Sequence, residues 1–283
     1  MKRRLLSALV APVLLLTGGA IESPPSWSQP IKPFHVAGPV WYVGTRGLAV
    51  YAIVSREGTI LVSGPMAGDA GQVERNLATI GVRPRQVTWI LNSHAHFDHA
   101  AGFAELRRWS GAKLVASAGD ASALRRGRHE ADNDNGYTRF PPVPVDRVIR
   151  DGEQVRTGDV SVTAMLTPGH TAGCTTWLLP IVDGRRTLRV VFPCSITVAG
   201  NHLYGNRAYP TIDSDYRRSF ARLSAVKADI VLPMHPEIAE VVERAQRRDA
   251  GQADAFVDPT VLPRIVASAK ADYAVARGAQ RKH

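Results

Sequence analysis

The sequence predicts an α/β protein whose two halves each run from strands into a helix and pack sheet against sheet. Three observations support this prediction. Short apolar runs rich in β-branched residues alternate with stretches of helical periodicity, and this order occurs twice along the chain. The composition, with 45% hydrophobic and 21% charged residues among 283, is ordinary for a globular protein of one large or two small domains. A histidine-rich loop follows a strand of the first half, where open α/β sheets place their chemistry.

The first 20 residues have the pattern of a secretory signal peptide. Lys2-Arg3-Arg4 is a basic segment, the apolar run 5–16 follows, and small residues precede a cleavage point after Ala20. The apolar run is too short to span a bilayer comfortably. We therefore expect residues 1–20 to be cleaved and the mature protein to lie in the periplasm, away from the membrane. The alternative is an uncleaved anchor that carries the same exported domain.

The remainder divides into an arm and a domain. Residues 21–33 are rich in proline and predict an extended arm without a core of its own, and residues 34–283 are expected to form a single, monomeric domain. The formal charge of +10 falls to +7 (10 − 3) without the basic residues of the signal. Arginines occur in scattered pairs and no nucleic-acid motif accompanies them, which indicates a solvated surface and no nucleic-acid partner.

Periodicity predicts the elements of the first half in turn. Val73, Leu77 and Ile80 share one face of a helix that Gly81 ends. The predicted strands are 40–43, 48–54, 59–62, 87–91 and 113–116, and the predicted helices are 69–80 and one containing Ala100, Phe103, Leu106 and Trp109. Residues 117–150 lack periodicity, so we expect a binding loop or lid, or alternatively a disordered insertion.

The second half repeats the order of strands and helices. Tyr216, Phe220 and Leu223 form one stripe of a helix, and Asp183-Gly184 is a turn between two strands. The predicted strands are 160–166, 175–179, 188–192 and 229–232, and the predicted helices are 213–226, 237–248 and 259–277.

The segment from Asn92 to His99 is the strongest chemical signal. It contains His94, His96, Asp98 and His99, which are metal ligands of the kind that zinc prefers. His94 and His96 are two positions apart and can converge on one ion, while Asp98 and His99 can hold a second ion nearby. A loop of solvated polar residues is the alternative, but four such groups would repel or titrate without a metal.

Two further histidines lie in tight loops at the ends of predicted strands. His170 follows Pro168-Gly169, and His235 lies between Pro233 and Pro236. The other four are expected to lie outside any site, and they are His35, His129, His202 and His283. Together the selected residues form the pattern H-x-H-x-D-H, then H, then H.

The two cysteines, Cys174 and Cys194, leave three possibilities open. They could pair in an oxidising compartment, they could remain buried thiols, or Cys194 could be a metal ligand.

On these motifs the sequence resembles the metallo-β-lactamase superfamily over nearly all of the mature chain. The segments that carry the resemblance are 93–102, with its histidine motif, and Thr167-Pro168-Gly169-His170-Thr171. The resemblance implies an αβ/βα four-layer sandwich of two mixed β-sheets with outer helices, and metals at the edge of the two sheets.

The segment after Phe192 narrows the resemblance from the superfamily to one of its subclasses. Many hydrolases of the superfamily have an aspartate that bridges both metals after the strand that ends here at Phe192, but this chain has Pro193-Cys194-Ser195 instead. Since His99 is present, the sequence is most similar to subclass B3 β-lactamases. It departs from many relatives at Ser63, where they have an aspartate behind the metal ligands.

The resemblance implies roles for individual residues. His94, His96 and His170 would bind the first of two Zn²⁺ ions. Asp98, His99 and His235 would bind the second, and Asp98 would also orient the attacking water.

Ser195 and Thr197 would contact the carboxylate of the substrate, and Cys174 would pair with Cys194. The implied activity is hydrolysis of the β-lactam amide by activated water, without a serine nucleophile, since Ser195 lacks a Gly-x-Ser-x-Gly context. The alternatives are a lactonase or thioester hydrolase of the same superfamily, a nuclease, and a non-catalytic zinc-binding protein.

Overall fold

The computed structural model of the chain describes residues 23–134 and 138–281. The predicted signal peptide, residues 1–20, lies outside the described residues, and so does His283. None of the helices in the described ranges is both long and apolar enough to cross a membrane.

The first half of the chain forms a seven-stranded mixed sheet whose strands are neighbours in chain order. The strands are β1 (Phe34–Ala37), β2 (Val40–Tyr42), β3 (Tyr51–Ser55), β4 (Gly58–Val62), β5 (Val87–Leu91), β6 (Lys113–Ser117) and β7 (Arg147–Ile149). The helices are α1 (Ala70–Thr79), α2 (Phe97–Ala100), α3 (Phe103–Ser110) and α4 (Ala118–Arg126). Strands β1 to β4 pair antiparallel, whereas β4 to β7 pair parallel and therefore need the crossover connections that α1 to α4 provide.

The second half forms a five-stranded sheet. Its strands are β8 (Gln154–Thr157), β9 (Val160–Leu166), β10 (Thr175–Asp183), β11 (Arg186–Phe192) and β12 (Ile230–Val231). The helices that follow β11 are α5 (Ile212–Ala225), α6 (Val241–Asp249) and α7 (Val261–Gln280). Strands β8 to β11 form an antiparallel meander, and β12 returns parallel to β11 after the α5 crossover.

Strand β4 is buried at every position, and its successive side chains pack in two different cores, which places the first sheet in the interior of the fold. In β4, Ile60 and Val62 pack in the core shared with the second sheet, whereas Leu61 packs with α1 and α3 on the opposite face. Successive side chains of a strand point to opposite faces, so a strand that is apolar throughout must be covered on both. Helices α5 to α7 contribute to the core of the second sheet. The predicted αβ/βα sandwich is therefore confirmed.

Two predictions about local structure were wrong. Residues 118–126 and 147–149 of the segment expected to be irregular form helix α4 and strand β7. Gly119 weakened the helical signal of α4, yet a Cβ there would lie 2.3 Å from the carbonyl oxygen of Ala172, so the contact requires glycine. The helix predicted over 237–248 is interrupted at Glu240, whose left-handed backbone (φ 52°) separates a 3-10 turn, Pro236–Ala239, from α6.

Candidate metal centre

The predicted ligands lie in three loops at one edge of the sandwich, each after the end of a strand. His94, His96, Asp98 and His99 follow β5, His170 follows β9, and His235 follows β12. The ends of strands from both sheets meet here, so residues far apart in the sequence form one cluster. Apart from His96 and His235, which are half-buried, these side chains are buried.

The first group consists of His94, His96 and His170. One ring nitrogen of each lies within 4.8 Å of the other two. The ring centroids are 5.0 Å apart for His94 and His96, 4.7 Å for His94 and His170, and 4.5 Å for His96 and His170. Three converging imidazoles are the ligand set of a zinc site that keeps one position open.

The second group consists of Asp98, His99 and His235. Oδ2 of Asp98 lies 3.0 Å from Nε2 of His99 and 3.2 Å from Nε2 of His235, and the two Nε2 atoms are 3.1 Å apart. Ligands at about 2.0–2.1 Å from a tetrahedral zinc ion are separated by about 3.3 Å, so these three atoms are spaced as a zinc ion requires. His94 also offers a nitrogen within 4.8 Å of Asp98 and His99, which joins the two groups into one cluster.

The ionisation states of the first group suit a metal. Burial, reinforced by the neighbouring imidazoles, holds the pKa of His94 and His96 well below the ordinary value and lowers that of His170 to about 4. These three rings are consequently neutral at pH 7, and a neutral imidazole has the free lone pair that coordination needs.

In the second group the histidines around Asp98 oppose the effect of burial on the pKa of its carboxyl group. Burial alone would raise the pKa of Asp98, but His99 and the hydrogen bond from His235 hold it well below its ordinary value. The hydrogen bond with Asp98 also raises the pKa of His235, although burial acts in the other direction. Asp98 is therefore an anion at neutral pH, and the donor set fits a divalent cation.

Four of the five imidazoles are also hydrogen-bonded through the other ring nitrogen, whereas that of His235 faces the Glu237 carboxylate at a longer, ion-pair distance. A ligand histidine in a metal site generally uses one nitrogen for the metal and the other for an orienting partner. The partners are Ser93 Oγ for His94 Nδ1 (3.0 Å), His129 Nδ1 for His96 Nε2 (3.0 Å), Thr197 O for His170 Nδ1 (2.8 Å), Ser63 Oγ for His99 Nδ1 (3.4 Å) and Glu237 Oε1 for His235 Nδ1 (3.8 Å). This leaves Nδ1 of His96 and Nε2 of the other four rings for metal ions.

The prediction that His129 lies outside any site was wrong. It is buried, and its ring centroid lies 4.4 Å from that of His96. His129 follows α4 and the left-handed Gly127, in the segment where we expected a loop or lid. No local pattern marks it, because the turn of the chain after α4 brings it to His96.

Ser63, the position at which the resemblance implies an aspartate in many relatives, lies beside His99. Its Oγ is buried and lies 3.4 Å from Nδ1 of His99, so the orienting contact is present but longer than a normal N–H···O bond. The backbone of Ser63 is left-handed (φ 70°), a conformation that Asp and Asn tolerate better than Ser does.

Asp120 joins the two loops that carry the first group. Its carboxylate accepts hydrogen bonds from Asn92 Nδ2 (2.9 Å), at the start of the β5 loop, and from Gly173 N (3.0 Å), after His170. Burial raises its pKa to about 6, against the opposing effect of these hydrogen bonds. A Cβ at Gly173 would lie 2.2 Å from Asp120 N, so the loop and α4 are in direct backbone contact.

The segment after β11 lies beside the histidines. The hydroxyl oxygens of Ser195 and Thr197 are 3.1 Å apart, and Thr197 is exposed. Cys194 is bonded to Cys174, their Cα atoms 5.7 Å apart, so Cys194 is not a free thiolate ligand.

The arm contributes a wall of the site that the sequence did not reveal. The ring of Trp27 lies 5.4 Å from that of His235 and 6.2 Å from that of Phe97. The backbone of Arg46 and Gly47 donates to Gln29 and Ser26, which anchors the arm over this edge of the sandwich.

An αβ/βα sandwich with five imidazoles and one carboxylate clustered at the edge of its sheets defines a class of metal-binding proteins. The family model described as the metallo-β-lactamase superfamily matches residues 43–235, which is more than half of the chain. The chain belongs to the metallo-β-lactamase superfamily.

Solved structures resemble the whole domain. BJP-1, a subclass B3 metallo-β-lactamase of Bradyrhizobium japonicum, is 37% identical with a TM-score of 0.86, covering 91% of this chain and 98% of that one. A metallo-β-lactamase of Cronobacter sakazakii is 38% identical (TM-score 0.85, 91% and 98% covered). MEM-A1, a subclass B3 enzyme from a soil metagenome library, is 32% identical (TM-score 0.85, 90% and 99% covered).

Curated relatives match a smaller part. A hydroxyacylglutathione hydrolase of Cereibacter sphaeroides is 33% identical over 115 residues, which is 41% of this chain and 36% of that protein. One of Rhodospirillum rubrum is 32% identical over 87 residues, or 31% and 27%. The chain thus matches about a third of the length of these relatives.

Proposed function

We propose that this protein is a zinc-dependent β-lactamase that hydrolyses the ring amide of penicillins, cephalosporins and carbapenems and so confers resistance to them. The observation that carries the proposal is the likeness to a subclass B3 metallo-β-lactamase over 91% of the chain at 37% identity. The clustered donors support it, since their spacing and ionisation suit two divalent cations.

The proposed ligands are divided between two zinc ions. His94, His96 and His170 hold the first, and the group of Asp98, His99 and His235 holds the second. Bound zinc acts as a Lewis acid and lowers the pKa of a coordinated water to about 7, which supplies a nucleophile at neutral pH.

The side chains of the protein position the reactants. Asp98 remains ionised because of its histidine neighbours, so it accepts a hydrogen bond from water and orients the water molecule. Ser195 and Thr197 present two adjacent hydroxyl groups, which donate to the carboxylate that β-lactams carry. Trp27 covers His235 and limits the access of bulk water from that side.

The proposal extends to the form of the mature protein. Residues 1–20 are a signal peptide that directs export to the periplasm, 21–33 are the arm, and 34–283 are one domain that works as a monomer on a small anionic substrate, without nucleic acid or membrane. The disulfide between Cys174 and Cys194 agrees with an oxidising compartment.

A thioester hydrolase is the second candidate, because the curated relatives are named hydroxyacylglutathione hydrolases. It shares the metal ligands and differs in the segment after β11, where Pro193-Cys194 supplies no carboxylate to bridge two metals. A lactonase is a further alternative, which the substrate panel described next supports or excludes.

The test is hydrolysis of a carbapenem, a glutathione thioester and an acyl-homoserine lactone by the purified protein, before and after treatment with a strong chelator. We expect carbapenem turnover that the chelator abolishes and Zn²⁺ restores. Turnover of the thioester or the lactone alone would transfer the assignment to that activity, and chelator-insensitive turnover would reject the metal mechanism.

A pair of variants tests the ligand assignment. His170→Ala should lose most turnover and one equivalent of zinc, measured by metal analysis after dialysis. His35→Ala is the control, because His35 lies in β1 and bonds to Gly38 O instead. Two equivalents of zinc in His170→Ala would show that the ligand is another residue.

A further inference from the structure

A cavity of about 440 Å³ lies at the carboxyl ends of β11 and β12. These two strands are parallel neighbours, and the loops that follow them, 193–197 and 233–240, form part of its wall. Helix α7 supplies the rest, through Ile265, Ser268 and Ala269 among others. A crevice beyond the carboxyl ends of parallel strands is a common position for ligands, and the volume lies within the range of small-molecule pockets, about 300–1,000 Å³.

The cavity is continuous with the metal centre. Ser195, Thr197 and His235 belong to its lining, and the same three residues belong to the proposed active site. A substrate that is bound at these residues therefore lies next to the cavity.

The lining is mostly apolar. Ile196 is buried, Ile265 is half-buried, and Ile238 is 45% exposed although it lies in a concave part of the surface. The lining also contains two charged side chains of each sign, Glu240, Arg244, Arg264 and Asp272, the last two on the exposed face of α7. Such a surface favours a flat or bulky apolar group with a polar edge.

We propose that this cavity receives the substituent that cephalosporins and carbapenems carry on the ring carbon next to the one that bears the carboxylate. The inference rests on the proposed function, since Ser195 and Thr197 are assigned to the carboxylate. Ser195 and Thr197 also line the cavity, so once their hydroxyl groups hold the carboxylate, a substituent on the adjacent ring carbon lies beside it.

The chemistry of the substrate selects this group over the other side chain. The acylamino group of cephalosporins and penicillins is attached to the lactam ring, at the opposite end of the bicyclic nucleus from the carboxylate. Penicillins have only two methyl groups beside the carboxylate. The cavity consequently favours cephalosporins and carbapenems with large substituents over penicillins.

The test compares Ser268→Trp with wild type. Ser268 lies on the exposed face of α7 and lines the cavity, so an indole there occupies its volume. Val275→Trp is the matched control, since Val275 is two turns further along the same helix, is 74% exposed and does not line the cavity. Zinc content and melting temperature are measured for both variants.

Two pairs of cephalosporins are assayed as ratios of kcat/KM. The first pair differs only in the substituent next to the carboxylate, large or small, and the second pair differs only in the acylamino group. In Ser268→Trp we expect the large-to-small ratio of the first pair to fall at least about tenfold, and that of the second pair to stay within about twofold. Val275→Trp should match wild type in both.

Ile238→Ala provides an independent variant if the tryptophan prevents folding, and removal of its apolar contact should lower the same ratio. An unchanged first-pair ratio in folded, zinc-loaded variants would overturn the inference. A change confined to the second pair would assign the cavity to the acylamino group and overturn it as well. Absence of β-lactam turnover in wild type would instead reject the proposed function, so the two failures are distinguishable.

Discussion

Replacement of His129 by alanine tests whether a residue outside the ligand set controls the first zinc site. Nε2 of His96 and Nδ1 of His129 are 3.0 Å apart, and His129 is 7% exposed. When His96 binds metal through Nδ1, its Nε2–H donates to His129, which fixes the ring. Loss of such a partner costs about 10–100-fold in metal affinity, or about 1.4–2.7 kcal/mol. We expect the Kd of the first zinc to rise by that factor.

The measurement is competition for Zn²⁺ with a chromophoric chelator at pH 7. His129→Gln can still accept the hydrogen bond from His96 and should recover most of the affinity. His202→Ala is the control, because His202 pairs with Asp134 instead of with a ligand. The reasoning is refuted if His129→Ala binds the first zinc as tightly as wild type, or if His202→Ala loses as much affinity.

Three further predictions concern residues around the site. In Ser63→Asp, the left-handed backbone (φ 70°) suits aspartate and the carboxylate faces Nδ1 of His99, so the second zinc should bind about tenfold more tightly in the same competition assay. Burial raises the pKa of Asp120 to about 6, so as the pH falls the folded protein binds a proton at a higher pH than the unfolded chain does. As the pH rises from 4 to 6, the free energy of unfolding of zinc-free wild type, measured by urea titration, should therefore fall by up to about 3 kcal/mol relative to that of Asp120→Asn. Arg244→Met should lower the free energy of unfolding by about 3 kcal/mol because it removes two buried hydrogen bonds and the part-buried ion pair with Asp258, whereas the exposed Arg247→Met should cost less than about 1 kcal/mol.

Each of these predictions has an outcome that contradicts it. Unchanged affinity for the second zinc in Ser63→Asp would mean that the serine hydroxyl already orients His99 fully. If the free energy of unfolding changes with pH in the same way for wild type and Asp120→Asn, Asp120 is not the group that titrates. Equal losses for Arg244→Met and Arg247→Met would mean that the burial of Arg244 contributes nothing.

The fold and most of the proposed ligands could be predicted from sequence because their signals are local. A strand such as β4, apolar at every position, predicts burial on both faces, and the turn residues around it give its bounds. The histidine loop is recognisable because four proposed ligands lie within six positions. His170 and His235 were recognisable because each follows a predicted strand and lies among glycines or prolines, which fix tight loops.

The residues that support the ligands could not be predicted, because each acts through a contact that only the tertiary structure creates. His129 meets His96 across 33 positions of sequence, and Asp120 meets Gly173 across 53. Trp27 lies in a proline-rich arm that has no periodicity, so nothing in its neighbourhood pointed to His235. Helix α4 was missed for a related reason, since the glycine that weakens its helical pattern serves a contact with another loop.

Because residues around the proposed ligands act through tertiary contacts, the metal ligands alone do not determine the reaction. Relatives named hydroxyacylglutathione hydrolases align with part of this chain, whereas subclass B3 β-lactamases align with the whole domain. In this chain Cys194 is engaged by Cys174 and contributes no carboxylate between the metals, while Ser195 and Thr197 turn hydroxyl groups towards the same edge. A site that lacks an anion at this position favours an anionic substrate, because the carboxylate of the substrate meets donors and cations instead of a fixed negative charge. The proposed function therefore assigns the choice of substrate to the segment after β11.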